Sequence, residues 1–208
     1  MCGFVGFVNT SDPYEVSFSQ VKKIIKAVER RGPDDESFWT SENHSIYFGF
    51  KRLSIVDLST NGRQPMVSKN KNFVLMMNGE IYNYQDLKKK LNISDDQLIG
   101  RSDTEILLHS IEKYGLKKSL EFTEGMFALC LYDLVNNKIF LARDRFGEKP
   151  IYYGNINNTF LFSSQISAFK LYKDYKPDLD YESISLYFRY NYIPSPKSIY
   201  KNIFKLDP

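Results

Sequence analysis

Cysteine and histidine are scarce in this chain of 208 residues, which contains two of each. The cysteines, Cys2 and Cys130, form no CxxC pair, so neither a disulfide framework nor a zinc site is expected. His44 and His109 give histidine-based catalysis or metal binding few candidates. We therefore expect chemistry that needs no metal.

The sequence also lacks a strong net charge and a long apolar run. Its formal net charge of +3 is too weak to indicate a nucleic-acid partner. No apolar run is long enough to span a bilayer, and no signal peptide opens the chain, so no membrane partner is expected. These absences predict a cytoplasmic protein with reduced thiols.

Aromatic residues are abundant at 15% of the chain, which favours a core rich in strands. Strands are predicted to arrive as hairpins, for example at residues 126–133 with 138–143, so the sheets should be mainly antiparallel. The order of strands, then helices, then strands predicts an α+β layered fold. Helices are predicted over residues 17–30, 84–91, 164–172 and 181–190, with another between a Ser102–Glu105 capping box and Gly115, and a turn is predicted at Ser11, Asp12 and Pro13.

Cys2 directly follows the initiator methionine. Once Met1 is trimmed, Cys2 carries both a thiol and a free α-amine, whose reference pKa near 8 makes it a usable base. A nearby base is what a thiol needs to become a nucleophile. Taken by itself, the tripeptide is also consistent with a small residue after Met1 by chance.

Three further positions allow a functional and a structural interpretation. Arg52 ends an apolar strand and needs a carboxylate, which either an acidic side chain or a ligand could supply. Asn78 and Gly79 offer an amide and an approachable backbone N–H for an oxyanion hole, although Asn-Gly is also a hairpin-turn signal. Asp103 at a helix start either stabilises the helix through its interaction with the helix dipole or anchors a ligand ammonium group.

Two other features are predicted to be structural. Cys130 lies within an apolar run and is expected to be an inert core thiol. The dense charged turn at residues 142–150 is expected to form an ion-pair network, with a partner contact as the alternative.

Taken together and in order, several motifs resemble the class II glutamine amidotransferase domain of glutamine-hydrolysing asparagine synthetases. The resemblance covers nearly the whole chain, and the ordered set is highly specific although each motif alone is weak. The motifs are Met-Cys-Gly at 1–3, Arg-Gly-Pro-Asp at 31–34, Arg-Leu-Ser-Ile-Val-Asp at 52–57, Asn-Gly-Glu-Ile-Tyr-Asn at 78–83, Ser-Asp-Thr-Glu at 102–105, Gly-Met-Phe-Ala at 125–128, Ala-Arg-Asp-Arg-Phe-Gly-Glu-Lys-Pro at 142–150 and Tyr-Ile-Pro-Ser-Pro at 192–196.

The resemblance implies an N-terminal-nucleophile hydrolase fold, a four-layer αββα sandwich of two antiparallel sheets. It implies that Cys2 attacks the side-chain amide of L-glutamine and forms a thioester, and that Asn78 and the Gly79 N–H hold the oxyanion. The other implied substrate-binding groups are Arg52 for the α-carboxylate, Asp103 with Glu80 for the α-ammonium, and the backbone of Leu53, Ser54, Ile55 and Val56 along the pocket.

The same resemblance predicts domain organisation and partners. Residues 1–194 would form the glutaminase domain, and residues 195–208 would begin a linker to a C-terminal synthetase domain. ATP and Mg²⁺ would bind only in that second domain, so no cofactor is expected in this one, and a homodimer is an open prediction. A chain that keeps Met1 would lack the free amine and should be inactive.

Two alternative functions are consistent with the sequence. The domain could deliver ammonia to an acceptor other than aspartate, or it could be a non-catalytic module that binds glutamine or a partner. Glutamine binding without ammonia release would identify the module.

Overall fold

Ten strands and five helices are distributed along the chain in a computed structural model that describes residues 1–9, 17–173 and 175–208. The turn predicted at Ser11, Asp12 and Pro13 lies outside the described residues. The strands are β1 (Gly3–Asn9), β2 (Asp35–Thr40), β3 (Ile46–Arg52), β4 (Met66–Val67), β5 (Phe73–Ile81), β6 (Gly125–Asp133), β7 (Lys138–Arg143), β8 (Tyr152–Ile156), β9 (Thr159–Ser163) and β10 (Ile203–Lys205), and the helices are α1 (Phe18–Ile25), α2 (Tyr84–Leu91), α3 (Asp103–Tyr114), α4 (Leu116–Phe122) and α5 (Tyr181–Tyr190).

The strands form two antiparallel sheets, as the hairpin pattern predicts. The six-stranded sheet has the order β10-β8-β9-β1-β3-β2, and the four-stranded sheet has the order β4-β5-β6-β7. In the first sheet β1 lies between β3 and β9, with Gly3 opposite Lys51 and Val5 opposite Ser163. The start of β1 is therefore held from both sides, which fixes the position of Cys2 just before it.

Alternation along the strands divides the core into three layers, because successive strand residues face opposite sides of a sheet. On β1, Phe4 packs between the two sheets, whereas Val5 and Phe7 pack on the outer side with α1. On β5, Met76 faces the space between the sheets, whereas Met77 faces the cluster formed with α2 and α3. Helices thus cover the outer face of each sheet, and the predicted four-layer αββα arrangement is confirmed.

Two predicted helices are shorter and tighter than the sequence indicates. The helix predicted over residues 17–30 ends as α1 at Ile25 and continues as a 3-10 turn over Lys26–Arg31. Arg31 at the end of that turn donates from Nε to the Cys2 carbonyl at 2.9 Å. The helix predicted over residues 164–172 is a 3-10 turn over Ile166–Leu171. In both segments, tertiary contacts override a pattern that favours regular helix.

The hairpin alternative for Asn78 and Gly79 is wrong. Strand β5 runs through both residues to Ile81, and its register with β6 continues to the pair Ile81–Gly125. Helix α3 begins as predicted, because the Ser102 hydroxyl accepts a bond from the Glu105 N–H at 3.1 Å. The Glu105 carboxylate does not complete the predicted capping box, since it accepts instead from the Ile99 and Gly100 N–H groups.

Part of the segment predicted as a linker start is integrated into the sheet. Within residues 195–208, Ile203–Lys205 forms β10, which pairs with β8 at the edge of the six-stranded sheet. The Lys205 N–H donates to the Pro196 carbonyl at 2.8 Å, and the Leu206 N–H donates to the Ile151 carbonyl at 2.9 Å. The boundary after residue 194 stays a prediction.

Candidate active site

A cavity lies where the ends of several elements meet. Cys2 precedes β1, Arg52 ends β3, Asn78 and Gly79 lie near the end of β5, and Asp103 begins α3. All five residues line this one cavity, so residues from both sheets and one helix face the same space. The sequence separates these residues by up to a hundred positions, and the antiparallel topology brings them together.

Cys2 is a half-buried thiol held by the chain just after β3. Its Sγ accepts a hydrogen bond from the Leu53 N–H at 3.3 Å and lies 3.5 Å from the Leu53 carbonyl oxygen. Burial raises the pKa of this thiol above its usual value, although the Leu53 N–H, the chain's amino terminus and Arg52 each act in the opposite direction. The thiol is therefore protonated at neutral pH, and a nucleophilic role requires a base beside it.

Arg52 is buried, and the chain that follows it holds its guanidinium group. Nη1 donates to the Ser59 carbonyl at 2.6 Å, and Nη2 donates to the Asp57 carbonyl. Gly62 packs against the guanidinium so closely that an added Cβ would lie 2.3 Å from Nη2. A guanidinium has more N–H donors than these two bonds use, so it can still bind a carboxylate in the cavity.

The Asn78 side chain is fully buried, and neither its Oδ1 nor its Nδ2 has a hydrogen-bond partner among the described residues. An unpaired amide inside a protein costs free energy, so its persistence in a cavity wall indicates a ligand partner. Gly79 has a φ of +150°, and a Cβ there would lie 2.0 Å from the Met126 carbonyl oxygen. Glycine is thus required where β5 passes β6 beside the cavity.

Asp103 supplies a negative charge to the cavity. One carboxylate oxygen accepts from the Ile81 N–H and the other from the Thr104 N–H, both at 2.8 Å. Burial raises the pKa of this carboxyl above its usual value, and the neighbouring Glu80 acts in the same direction, although the two backbone bonds oppose them. The wall of the cavity therefore contains two basic residues, Arg52 and Lys149, and three acidic ones, Asp57, Glu80 and Asp103.

The loop after Arg52 forms the outer rim of the cavity. Leu53, Ile55 and Val56 line it, and the Ile55 and Val56 side chains are 56% and 41% exposed. Ser54 does not line the cavity, because its N–H turns away to the Asp34 carboxylate at 2.8 Å. The substrate-binding role of Ser54 stays a prediction.

Sequence reasoning missed several further cavity residues, of which Gln64 and Lys149 are the most informative. Gln64 is buried, and its Oε1 accepts from the Met77 N–H at 2.5 Å while its Nε2 donates to the Thr104 hydroxyl at 3.2 Å. Lys149 is buried as well, and its Nζ lies 2.9 Å from Met1 Sδ. The sequence alone gives no sign of the cis peptide bond between Gln64 and Pro65. Lys149, in contrast, stands directly before Pro150 in the charged motif at residues 142–150 and could have been singled out.

The charged turn at residues 142–150 is not the ion-pair network that was predicted. Arg143 donates to the carbonyls of Gly147, Lys149 and Leu206, and no salt bridge in the described part of the chain involves it. The Asp144 carboxylate accepts N–H bonds from four residues, and these bonds hold its pKa below the usual value despite its burial. Backbone groups, rather than opposite charges, therefore organise this turn.

Cys130 is fully buried, and burial raises the pKa of its thiol well above the usual value, which confirms an inert core residue. Among residues 1–9, 17–173 and 175–208, no three His, Cys, Asp or Glu side chains gather in a way that could hold a metal ion. No helix in the described ranges has the length and apolar character needed to cross a membrane.

The two stacked antiparallel sheets covered by helices, with Cys2 directly before β1, form the architecture of an N-terminal-nucleophile hydrolase fold. A profile of the glutamine amidotransferase domain matches residues 1–208 in full. The chain therefore belongs to the glutamine amidotransferase domain family.

Relatives with this domain are much longer than the chain. A putative glutamine-hydrolysing asparagine synthetase of Methanocaldococcus jannaschii is 39% identical over 225 residues, which cover 100% of this chain and 42% of the relative. Asparagine synthetase 3 of Bacillus subtilis is 35% identical over 211 residues, which cover 100% of this chain and 34% of the relative. The chain thus spans well under half the length of these relatives.

The fold is also found in a solved structure. Glutamine phosphoribosylpyrophosphate amidotransferase from B. subtilis superimposes with a TM-score of 0.64, at 19% identity, over 82% of this chain and 43% of that one. At that identity the comparison supports the fold alone.

Proposed function

We propose that this domain hydrolyses L-glutamine to L-glutamate and ammonia through a thioester on Cys2. The observation that carries the proposal is the unpaired, buried Asn78 amide, which faces the same cavity as the Cys2 thiol, the Arg52 guanidinium and the Asp103 carboxylate. Glutamine has two opposite charges at one end and a neutral amide at the other. The cavity offers a partner for each of these groups.

Binding would orient the substrate before any bond changes. Arg52 would bind the α-carboxylate with its remaining N–H groups, and Asp103 with Glu80 would bind the α-ammonium. The side-chain amide would then lie against Cys2, with its oxygen between the Asn78 amide and the Gly79 N–H. Holding the reacting atoms in this way supplies a large part of an enzyme's rate enhancement.

The reaction would begin after Met1 is removed. The Cys2 α-amine accepts the thiol proton, through a water, as Sγ attacks the amide carbon. Asn78 and Gly79 stabilise the tetrahedral oxyanion, the amine returns the proton to the leaving nitrogen, and ammonia departs. Water then hydrolyses the thioester to glutamate and frees the thiol.

The ammonia would be used elsewhere. We propose that a synthetase domain like that of the longer relatives uses it, with ATP and Mg²⁺, to amidate aspartate. Within this domain no cofactor takes part in the proposed steps. We also propose that the protein acts in the cytoplasm, since both of its cysteines are free thiols.

The test is ammonia release by protein whose amino terminus has been confirmed by mass spectrometry to be Cys2. Cys2→Ala should abolish release, while Cys130→Ala, the matched control, should retain it. A diazoketone analogue of glutamine should label Cys2 and spare Cys130. Ammonia release by Cys2→Ala at the wild-type rate would overturn the proposal, and glutamine binding without release in the wild type would identify a non-catalytic module.

A further inference from the structure

Lys149 places a buried ammonium group in the wall of the active-site cavity. None of the salt bridges among the described residues involves it, so no carboxylate neutralises it there. Its Nζ instead lies 2.9 Å from the thioether sulfur of Met1, which is a weak acceptor. A buried lysine without a carboxylate is uncommon, because burial disfavours the charged form.

The backbone of Lys149 is held tightly, so the origin of its side chain is fixed. The Lys149 N–H donates to the Asp144 carboxylate at 3.1 Å. The Lys149 carbonyl accepts from Arg143 Nε at 2.5 Å. These two bonds, followed by Pro150, direct the side chain towards the amino terminus of the protein.

Met1 gives the distance scale between Lys149 and the Cys2 nitrogen. About five covalent bonds join Met1 Sδ to that nitrogen, a reach of roughly 6 Å at most, so with the 2.9 Å between Nζ and Sδ the lysine nitrogen lies within roughly 9 Å of the Cys2 nitrogen. When Met1 is removed, the sulfur leaves and the Cys2 nitrogen becomes a free amine in the same cavity. The lysine ammonium then faces that amine across space that the methionine side chain occupied.

We propose that Lys149 is a positioning residue that keeps the Cys2 α-amine unprotonated at neutral pH. This inference depends on the proposed function, in which that amine is the base. An amine can accept the thiol proton only when it is neutral, and a nearby fixed cation disfavours its protonated form. With an uncharged residue at position 149, more of the amine would be protonated and the enzyme would be less active at neutral pH.

Other charges also act on this corner of the cavity. Arg52 favours the Cys2 thiolate and Asp103 disfavours it, and Glu80 and Asp57 line the same space. Glu148 and Asp144 lie in the turn that carries Lys149, but Asp144 is engaged by backbone N–H groups. Arg31, whose Nε donates to the Cys2 carbonyl at 2.9 Å, is a further cation beside this residue. The acidic groups favour a protonated amine, and Lys149 adds to the cations that offset them.

The experiment is a charge series at residue 149. Protein with a protease-generated amino-terminal Cys2 is prepared as wild type, Lys149→Arg, Lys149→Met and Lys149→Glu, with Lys117→Met, exposed on α4, as the control. The pKa of the α-amine is measured directly by the pH dependence of its acetylation, followed by mass spectrometry. The pH profile of kcat/KM for glutamine is recorded in parallel.

We expect the amine pKa to rise by about half a pH unit or more in Lys149→Met, and further in Lys149→Glu, because a charge at this range acts through a partly buried medium. Lys149→Arg and Lys117→Met should match the wild type. The acid limb of kcat/KM should shift by the same amounts. An amine pKa that ignores the charge at residue 149, in variants with wild-type circular dichroism, would overturn the inference.

The acetylation readout separates this inference from the proposed function. If the amine pKa follows the charge series while no variant hydrolyses glutamine, the inference stands and the glutaminase proposal fails. If hydrolysis occurs but its acid limb and the amine pKa are the same in all variants, the reverse holds. A shift confined to alkylation of the thiol would contradict a role directed at the amine.

Discussion

Single residues at this site lower the stability of the folded protein, and this loss of stability marks them as candidates for a function. The Asn78 amide is buried without a partner, and the Asp103 carboxylate is buried with its pKa raised. A group whose folded pKa is raised adds stability only at low pH, and that contribution is lost as the pH rises through the folded value. At neutral pH the ionised Asp103 therefore disfavours the folded state, and the unpaired Asn78 amide does so at any pH, as expected for functional positions.

Asp103 should give substrate binding a distinctive pH dependence. As the pH falls into the range just above the usual aspartate value of 3.8, the carboxylate becomes protonated and KM for glutamine should rise more than kcat falls. Asp103→Asn should raise KM about tenfold or more at neutral pH, since a charged hydrogen bond to the ammonium is lost. Steady-state kinetics between pH 4.5 and 8 would measure both the acid rise in KM and the effect of Asp103→Asn. The expected size corresponds to roughly one log unit of KM per lost ion pair. An acid rise in KM that persists in Asp103→Asn would assign it to another group.

Sequence reasoning located these residues but could not show their state. The motifs placed Cys2, Arg52, Asn78 and Asp103 in one site, because a distinctive order of residue types survives without coordinates. The unpaired amide of Asn78 depends on what the neighbouring strands fail to offer it. The bond from the Ser54 N–H to the Asp34 carboxylate also lies beyond sequence reasoning, because the direction of an N–H group in a loop depends on residues distant in the chain.

Between elements, one side chain links the strand that carries Asn78 to the helix that carries Asp103. Strand β4 pairs with β5 only at Leu75 and Val74, so the edge of β5 has no strand partner at Met77. The Gln64 side chain takes that place, accepting from the Met77 N–H, and its other end donates to the Thr104 hydroxyl. A side chain thus continues the sheet edge just before β4 begins at Met66.

Replacing Gln64 should loosen this link. We expect Gln64→Met to lower the free energy of unfolding by about 1–3 kcal/mol, because it leaves the buried Met77 N–H unpaired. It should also raise KM for glutamine, since among the described residues only the bond between the Ile81 N–H and the Asp103 carboxylate then holds the start of α3 to β5. Thr104→Val, which keeps the Met77 bond, should cost less in urea denaturation. Equal losses in the two variants would show that the Met77 bond contributes little.

This contact also marks a limit of sequence reasoning at the scale of elements. Alternating apolar residues predicted the hairpins, and the Ser102 cap predicted the start of α3. The Asn-Gly pair indicated a turn by its composition, yet β5 continues because Gly79 can adopt a φ of +150° against β6. Local propensity competes with long-range pairing at such positions, and pairing prevails here.

Across the whole molecule, the two sheets are held together by an apolar layer in which glycine makes room for a ring. A Cβ on Gly6 would lie 2.0 Å from Cζ of Phe162, which is fully buried between the sheets. Phe162 also makes edge contacts with Phe4 and Phe48, so its ring has little freedom to move. Aromatic abundance predicted a strand-rich core, but this ring-over-glycine contact depends on strand register.

Gly6→Ala should therefore destabilise the whole fold. Overpacking a filled core commonly costs about 1–3 kcal/mol, and the melting temperature should fall accordingly. Gly49→Ala is the matched control on β3, where a Cβ would lie 3.2 Å from its nearest neighbour. Adding Phe162→Leu to Gly6→Ala should restore part of the loss. A Gly6→Ala protein that melts at the wild-type temperature would show that the ring can relocate.

The cavity lies between the two sheets, because Cys2 directly precedes β1 and Arg52 ends β3 in the six-stranded sheet, whereas Asn78 and Gly79 belong to the four-stranded one. In the proposed reaction, the sulfur that attacks and the groups that would hold the oxyanion are therefore carried by different sheets, and a small displacement of one sheet along the other would misalign them. The turnover rate would then report on small displacements between the two sheets. Hydrostatic pressure or substitutions in the distant core could lower this rate before any unfolding becomes measurable.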